Sequence, residues 1–164
     1  VLKATLPGVP DFYQGTELRD FSLVDPDNRR PVDFAKRQTL LGEDTDTDWR
    51  SEKFKFHATR RLLSLRRQFP GTFKSGAYQP IACPDNTVIA FTRAHRMHRV
   101  LVIARIRFSN DHASVARPAL RETKAPMYDI LRDRVVDLRR AATIRDIVDG
   151  FPVAVLSSSP LPAH

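Results

Sequence analysis

Two short stretches near the start of this 164-residue chain hold the side chains best suited to chemistry. The first is Pro7-Gly8-Val9-Pro10-Asp11-Phe12-Tyr13-Gln14-Gly15-Thr16-Glu17, and the second is Asp25-Pro26-Asp27-Asn28-Arg29-Arg30-Pro31. Tyr13 offers an aromatic ring and a hydroxyl. Asp25 can accept hydrogen bonds from vicinal hydroxyls, and Arg29 can donate them from a planar fork. That set suits a sugar. The plainer alternative is an Asp-rich turn in which Arg29 pairs with a neighbouring carboxylate. Glu17 raises the question of a catalytic acid, but retaining glycoside chemistry requires two carboxylates about 5–5.5 Å apart. Glu17 is better read as a cap or ion-pair partner inside its own loop, with Arg30, and alternatively Tyr13, as further braces.

Other chemistry-bearing residues carry less. His95 and His98 are three apart, a spacing that can hold a metal on a helix, yet they lie between strand-like runs with no third ligand nearby. A solvated hairpin turn is the expectation there. Ser157-Ser158-Ser159 lacks the glycines of a nucleophile elbow. Cys83 is the single cysteine, so an internal disulfide and a cysteine metal cluster are both excluded. A reducing cytoplasm is the plain expectation for location. No apolar run approaches the roughly 18 residues of a membrane span, and the first residues lack the basic region and cleavage site of a signal peptide.

Charge is unevenly spread within the net +8. Residues 1–50 carry 7 basic and 10 acidic side chains, and residues 51–164 carry 20 and 9. A basic half can mark nucleic-acid binding. Here the arginines stand singly or in pairs among apolar residues, without an aromatic-interleaved stripe, which favours a solvated basic surface. Neither nucleic acid nor membrane is an expected partner.

The elements that must position these side chains follow from pattern. Residues 2–6 read as a short apolar strand stopped by Pro7-Gly8. Residues 7–30 form one long loop, and long loops in compact folds are more often functional than idle. Pro31 suits the first position of a helix reaching Leu41, with Asp33 in its first turn and Gly42 as the stop. A longer helix is expected over residues 49–69, where Phe54, Ala58, Leu62, Leu65 and Phe69 fall on one face, with Phe56 and Leu63 widening the stripe and Pro70-Gly71 ending it. From Gly76 the pattern changes to short β-branched and aromatic runs at 77–81, 87–93, 99–108, 127–131, 135–138 and 151–156, the mark of an antiparallel sandwich. The expected organisation is α/β plus all-β, divided into residues 1–72 and residues 73–164.

The wording of the long loop adds a resemblance. Gly8 through Leu18, followed by Ser22-Leu23-Val24-Asp25-Pro26-Asp27-Asn28-Arg29-Arg30-Pro31-Val32-Asp33-Phe34, resembles the maltooligosyltrehalose synthase branch of the α-amylase family of glucan-active enzymes. Weaker likeness continues through Leu62 to Pro70, through Phe73 to Tyr78, through Val88 to Arg93 and through Phe151 to Leu156; between Asn110 and Lys124 little matches. The resemblance implies that residues 1–72 are the last strand, loop and helices of a catalytic (β/α)8 barrel, and that residues 73–164 are a small C-terminal antiparallel β-sandwich domain. Loops that follow barrel strands build the active site. In the family, the Asp and Arg of a comparable stretch hold glucose on the non-reducing side of the scissile bond; here those positions are Asp25 and Arg29, with Tyr13 as a further candidate. Nucleophile, acid/base and third acid come from earlier strands in the family, so no catalytic residue is expected in this chain, and the segment alone should be inactive. The implied substrate is a maltooligosaccharide, the implied partner is an upstream barrel of the same protein, and no metal or organic cofactor is implied. A non-catalytic glucan-binding or structural module, or the tail of an ordinary amylase-type hydrolase, stays open as an alternative.

Overall fold

The computed structural model describes residues 1–21, 30–43, 48–83, 86–107, 125–140 and 143–162. The chain opens not on a strand but on one helical turn, α1 (Leu2–Thr5). The Thr5 hydroxyl and the Ala4 amide both donate to the Val1 carbonyl, and the Leu6 amide donates to Leu2. Five apolar-rich residues are too few to separate a strand from a helical turn by periodicity. Packing decides it: Ala4 and Thr5 are buried, while Lys3 reaches out to the Asp11 carbonyl at 2.8 Å.

Helix α2 (Phe34–Leu41) begins later than Pro31 predicts, because Asp33 is the N-cap and its carboxylate accepts from the Lys36 amide at 2.9 Å. It ends at Gly42, as the glycine predicts. Helix α3 (Glu52–Gln68) is capped by Ser51, whose hydroxyl accepts from the Phe54 amide at 3.1 Å. Glu52 in its first turn and Arg66 and Arg67 in its last complement the helix dipole. Phe54, Ala58, Leu62 and Leu65 form the buried stripe. Fully burying each large apolar side chain is worth about 1.5–3 kcal/mol, an upper estimate because denatured chains already hide some surface. Pro70 does not simply terminate α3. It occupies the first turn of α4 (Pro70–Lys74), and Phe69 is the hinge between the two helices.

Among the described residues, six strands follow in one antiparallel sheet: β1 (Ala77–Ile81), β2 (Val88–His95), β3 (His98–Arg105), β4 (Met127–Asp129), β5 (Arg134–Val136) and β6 (Val153–Ser157), in the order β1-β2-β3-β6-β4-β5. The expected sandwich is therefore a single sheet among the described residues, and helices supply the layers that a second sheet would have supplied. On one face, Phe91, Val100, Val102 and Val155 pack with Ala4, Leu62, Leu65 and Phe73 of α1, α3 and α4. On the other, Leu101, Ile103, Ala154 and Leu156 pack with Ile144, Ile147 and Val148 of α5 (Ile144–Val148). The short α5 carries a complete capping box, Thr143 with Asp146. The expected boundary after residue 72 falls inside α4, and the first of these two clusters draws on residues from both sides of it.

The histidine pair is also unlike the expected solvated turn. His95 and His98 are direct partners across the two-residue turn Arg96-Met97, so both side chains project to the face beneath α4. A Cβ on Gly71 would come within 2.5 Å of the His95 ring. His98 stacks on Phe69 with ring centroids 3.6 Å apart and bonds Thr72 Oγ1 at 2.8 Å and Ser157 Oγ at 3.0 Å. Hairpin register, which sets which face each residue takes, is what converts these two residues from solvated to packed.

Candidate functional site

The loop singled out by its residue types is seated on α2 and α3. Residues 22–29 of it, and with them Asp25 and Arg29, lie outside the described residues, and Tyr13 is the one candidate sugar contact whose place is given. Tyr13 is half exposed, and its carbonyl accepts from both the amide (3.1 Å) and the hydroxyl (2.7 Å) of Thr16. These bonds close a tight turn. Gly15 takes a left-handed φ of +90° there, and a Cβ would meet Val32 Cγ2 at 3.2 Å. Both conditions favour glycine.

A single arginine holds this turn. Arg37, on α2, donates from Nε to Glu17 Oε2 at 3.0 Å, from Nη2 to the Gly15 carbonyl at 2.6 Å and from Nη1 to the Asp33 carbonyl at 2.9 Å. Its fork thereby joins the two chain segments that flank residues 22–29. Just beyond, Leu18 is buried against Leu40 and Phe56, and its carbonyl accepts from Lys55 Nζ at 2.8 Å. Arg19 reaches the Arg50 carbonyl at 2.7 Å.

Glu17 is thus engaged as an ion-pair partner. Partial burial works to raise its carboxyl pKa, but the hydrogen bond from Arg37, backbone hydrogen bonds and the Arg37 charge outweigh it, and the net shift is downward. A general acid needs the opposite shift. Arg30 is exposed at the far flank of the same stretch. Beside Glu17 the outer side of α3 forms a shallow recess of about 330 Å³ floored by Phe56 and Leu63 and edged by Thr59, Ser64 and Arg67.

Two functional-looking features escape reasoning from sequence. Arg37 is one of 27 basic residues and carries no motif of its own. Only the i+4 spacing from Asp33 hints at a role, and its partners Gly15 and Glu17 lie 22 and 20 residues away. Arg93 is the other. It is 2 % exposed and donates to three backbone carbonyls, those of Thr5, Phe73 and Gly76.

A braced loop, two helices and a helix-flanked antiparallel sheet in this arrangement match a segment of maltooligosyltrehalose synthase structures. The chain superposes on a variant of the maltooligosyltrehalose synthase from Arthrobacter ramosus with a TM-score of 0.71 and 30% identity, over 94% of this chain and 21% of that one. It superposes on a hypothetical maltooligosyl trehalose synthase from Sulfolobus tokodaii with a TM-score of 0.60 and 25% identity, over 95% and 19%. Among curated proteins, the putative maltooligosyl trehalose synthase of Mycobacterium tuberculosis, from two strains, is 44% identical over 96 residues. That match covers 57% of this chain and 12% of the relative. No family model matches the chain. The resemblance carried by the loop motifs and the one carried by the fold therefore point to the same proteins, of which this chain spans a small part.

Proposed function

We propose that this chain is the C-terminal part of a maltooligosyltrehalose synthase-like enzyme. The reading assigns the whole protein an intramolecular transglucosylation. The reducing-end α-1,4 bond of a maltooligosaccharide is broken through a covalent glycosyl-enzyme intermediate. The released glucose, still held, then attacks through its anomeric hydroxyl to form an α,α-1,1 bond. Water must be kept from that intermediate, or the outcome is hydrolysis. Within this chain, the reading assigns Asp25 and Arg29 to hold a glucose unit on the non-reducing side of the bond, with Tyr13 as a further substrate contact. Glu17 is a brace. Residues 1–72 belong with the catalytic barrel through the long loop, α2 and α3, and residues 73–164 form the domain that follows it.

The observation that carries the reading is the likeness to a solved synthase along 94% of this chain, combined with the motif wording of its long loop. The test is to express the gene product at full length, incubate it with maltopentaose, and identify the products by chromatography and proton NMR. A non-reducing, trehalose-capped product supports the reading. Glucose and shorter reducing maltooligosaccharides alone would reassign the protein to the hydrolases. A catalytically silent protein that binds maltopentaose in calorimetry would make it a binding module.

A further inference from the structure

We propose that Arg37 is a positioning residue, whose guanidinium fork sets the Tyr13–Glu17 turn and so fixes the orientation in which the Tyr13 ring faces a glucose unit. This rests on the reading of Tyr13 as a sugar contact. The geometry supplies the argument. Three donors of one planar group reach three acceptors: the Gly15 carbonyl, the Glu17 carboxylate and the Asp33 carbonyl. The Arg37 side chain is 14% exposed and that of Glu17 29%, so the ion pair is partly shielded from water. Lysine cannot reproduce the arrangement, because its ammonium is a point charge at the end of a flexible stem.

Coupling to Tyr13 follows from the turn itself. Both Thr16 donors converge on the Tyr13 carbonyl, so a displacement of residues 15–17 is passed to Tyr13 through Thr16. Gly15 holds a left-handed backbone, and a Cβ added there would meet Val32 Cγ2 at 3.2 Å, so a side chain at this position would disturb the turn. Arg37 itself is fixed by α2, whose first turn is capped by Asp33, the residue whose carbonyl Arg37 also binds. The backbone that carries the exposed Tyr13 ring is thereby referred back, through two hydrogen-bonded links, to α2.

The test uses the full-length gene product with maltopentaose and the variants Arg37→Met, Arg37→Lys, Tyr13→Ala and the double variant Tyr13→Ala/Arg37→Met. Losing contacts of this kind should raise KM about tenfold in Arg37→Met while kcat changes about twofold or less, with Arg37→Lys in between. In the double variant KM should match that of Tyr13→Ala, because Arg37 acts on KM through Tyr13. Additive effects of the two substitutions, or an unchanged KM in Tyr13→Ala, overturn the inference. A second readout needs no turnover. Amide exchange at Gly15, Thr16 and Glu17 should quicken at least about tenfold in Arg37→Met while α3 keeps its protection; unchanged exchange overturns the inference whatever the activity. A wild-type protein that converts no maltopentaose fails the synthase reading, and the exchange arm then still decides whether Arg37 holds the turn.

Discussion

The Arg93 guanidinium donates to the carbonyl of Thr5 at 3.2 Å, across 88 residues of sequence. Its second terminal nitrogen donates to Phe73 at 3.1 Å and to Gly76 at 3.2 Å. One buried cation on β2 thus ties down the last carbonyl of α1, a carbonyl within α4 and the start of the sheet. Burial, and then the nearby charge of Arg66, lower the Arg93 pKa, yet arginine remains charged throughout the working range. The carbonyl cluster compensates that charge, and the Phe73 ring, 5.9 Å away, adds a weak cation–π contact.

Replacing Arg93 by Met keeps much of the volume and removes the donors. Three carbonyls then lose this partner in a region from which water is largely excluded, so the expected cost is about 2–4 kcal/mol. Urea denaturation checks the magnitude, and a loss below about 1 kcal/mol would contradict the account. Because α1 is a single turn, its amides should lose exchange protection before those of β3 do.

His98 predicts a specific dependence on pH. Burial lowers its pKa from 6.5 to about 4. The hydroxyl of Ser157 donates to the Ser159 carbonyl at 2.7 Å, so it accepts from His98 Nε2–H, and Nδ1 then accepts from Thr72. The folded state therefore favours the neutral ring. The unfolded chain takes up the proton first as pH falls, so the stability this residue contributes is full above pH 6.5 and is lost progressively between pH 6.5 and about 4. Allowing for partial exposure of the ring, the loss is on the order of 2 kcal/mol. His98→Gln removes the titration. The difference in denaturation free energy between wild type and His98→Gln should shift by that amount across the window; parallel curves would show that His98 titrates normally.

Asp129 is fully buried and forms an ion pair with Arg132, with Oδ2 2.7 Å from Arg132 Nε, while its Oδ1 accepts from the Leu131 amide. Arg132 also caps the end of α5 through the carbonyls of Ile147 and Val148 and lies 4.6 Å over the ring of Phe151. Phe151 in turn meets Phe54 of α3 edge-on at 5.8 Å. Asp129→Asn leaves the buried arginine without its countercharge and is expected to cost about 3 kcal/mol or more. Thermal unfolding checks this, and near-wild-type melting would mean that the carbonyls alone compensate Arg132.

The features legible in sequence are those decided within one or two turns of chain. The 4, 4, 3 spacing from Phe54 to Leu65 marks the buried face of α3 because a helix brings those side chains together whatever lies opposite. Gly42 stops α2, and Glu17 behaves as an ion-pair partner, although its specific partner could not be read. Strands β1, β2 and β3 stand where β-branched and aromatic runs bounded by turn residues place them. Residues 2–6 were illegible for the converse reason: five residues satisfy both periods, and the buried position of Ala4 and Thr5 against α3 and the sheet decides the matter. Helix α5 is only five residues long, too short for periodicity, although its capping box was present to be read.

By itself, then, the sequence determined the local elements and, through the wording of the loop from Gly8 to Phe34, the kind of protein this chain resembles. Tertiary structure decided everything that depends on partners distant along the chain. Among the described residues it made one sheet with helices on both faces instead of two sheets, buried Arg93 among carbonyls, put His98 against Phe69, and joined Arg37 to Glu17. The reason is physical. Helical periodicity and turn chemistry are local energies written in neighbouring residues, whereas strand order, burial of a charge and the pairing of a fork with its acceptors depend on which distant surfaces exclude water together.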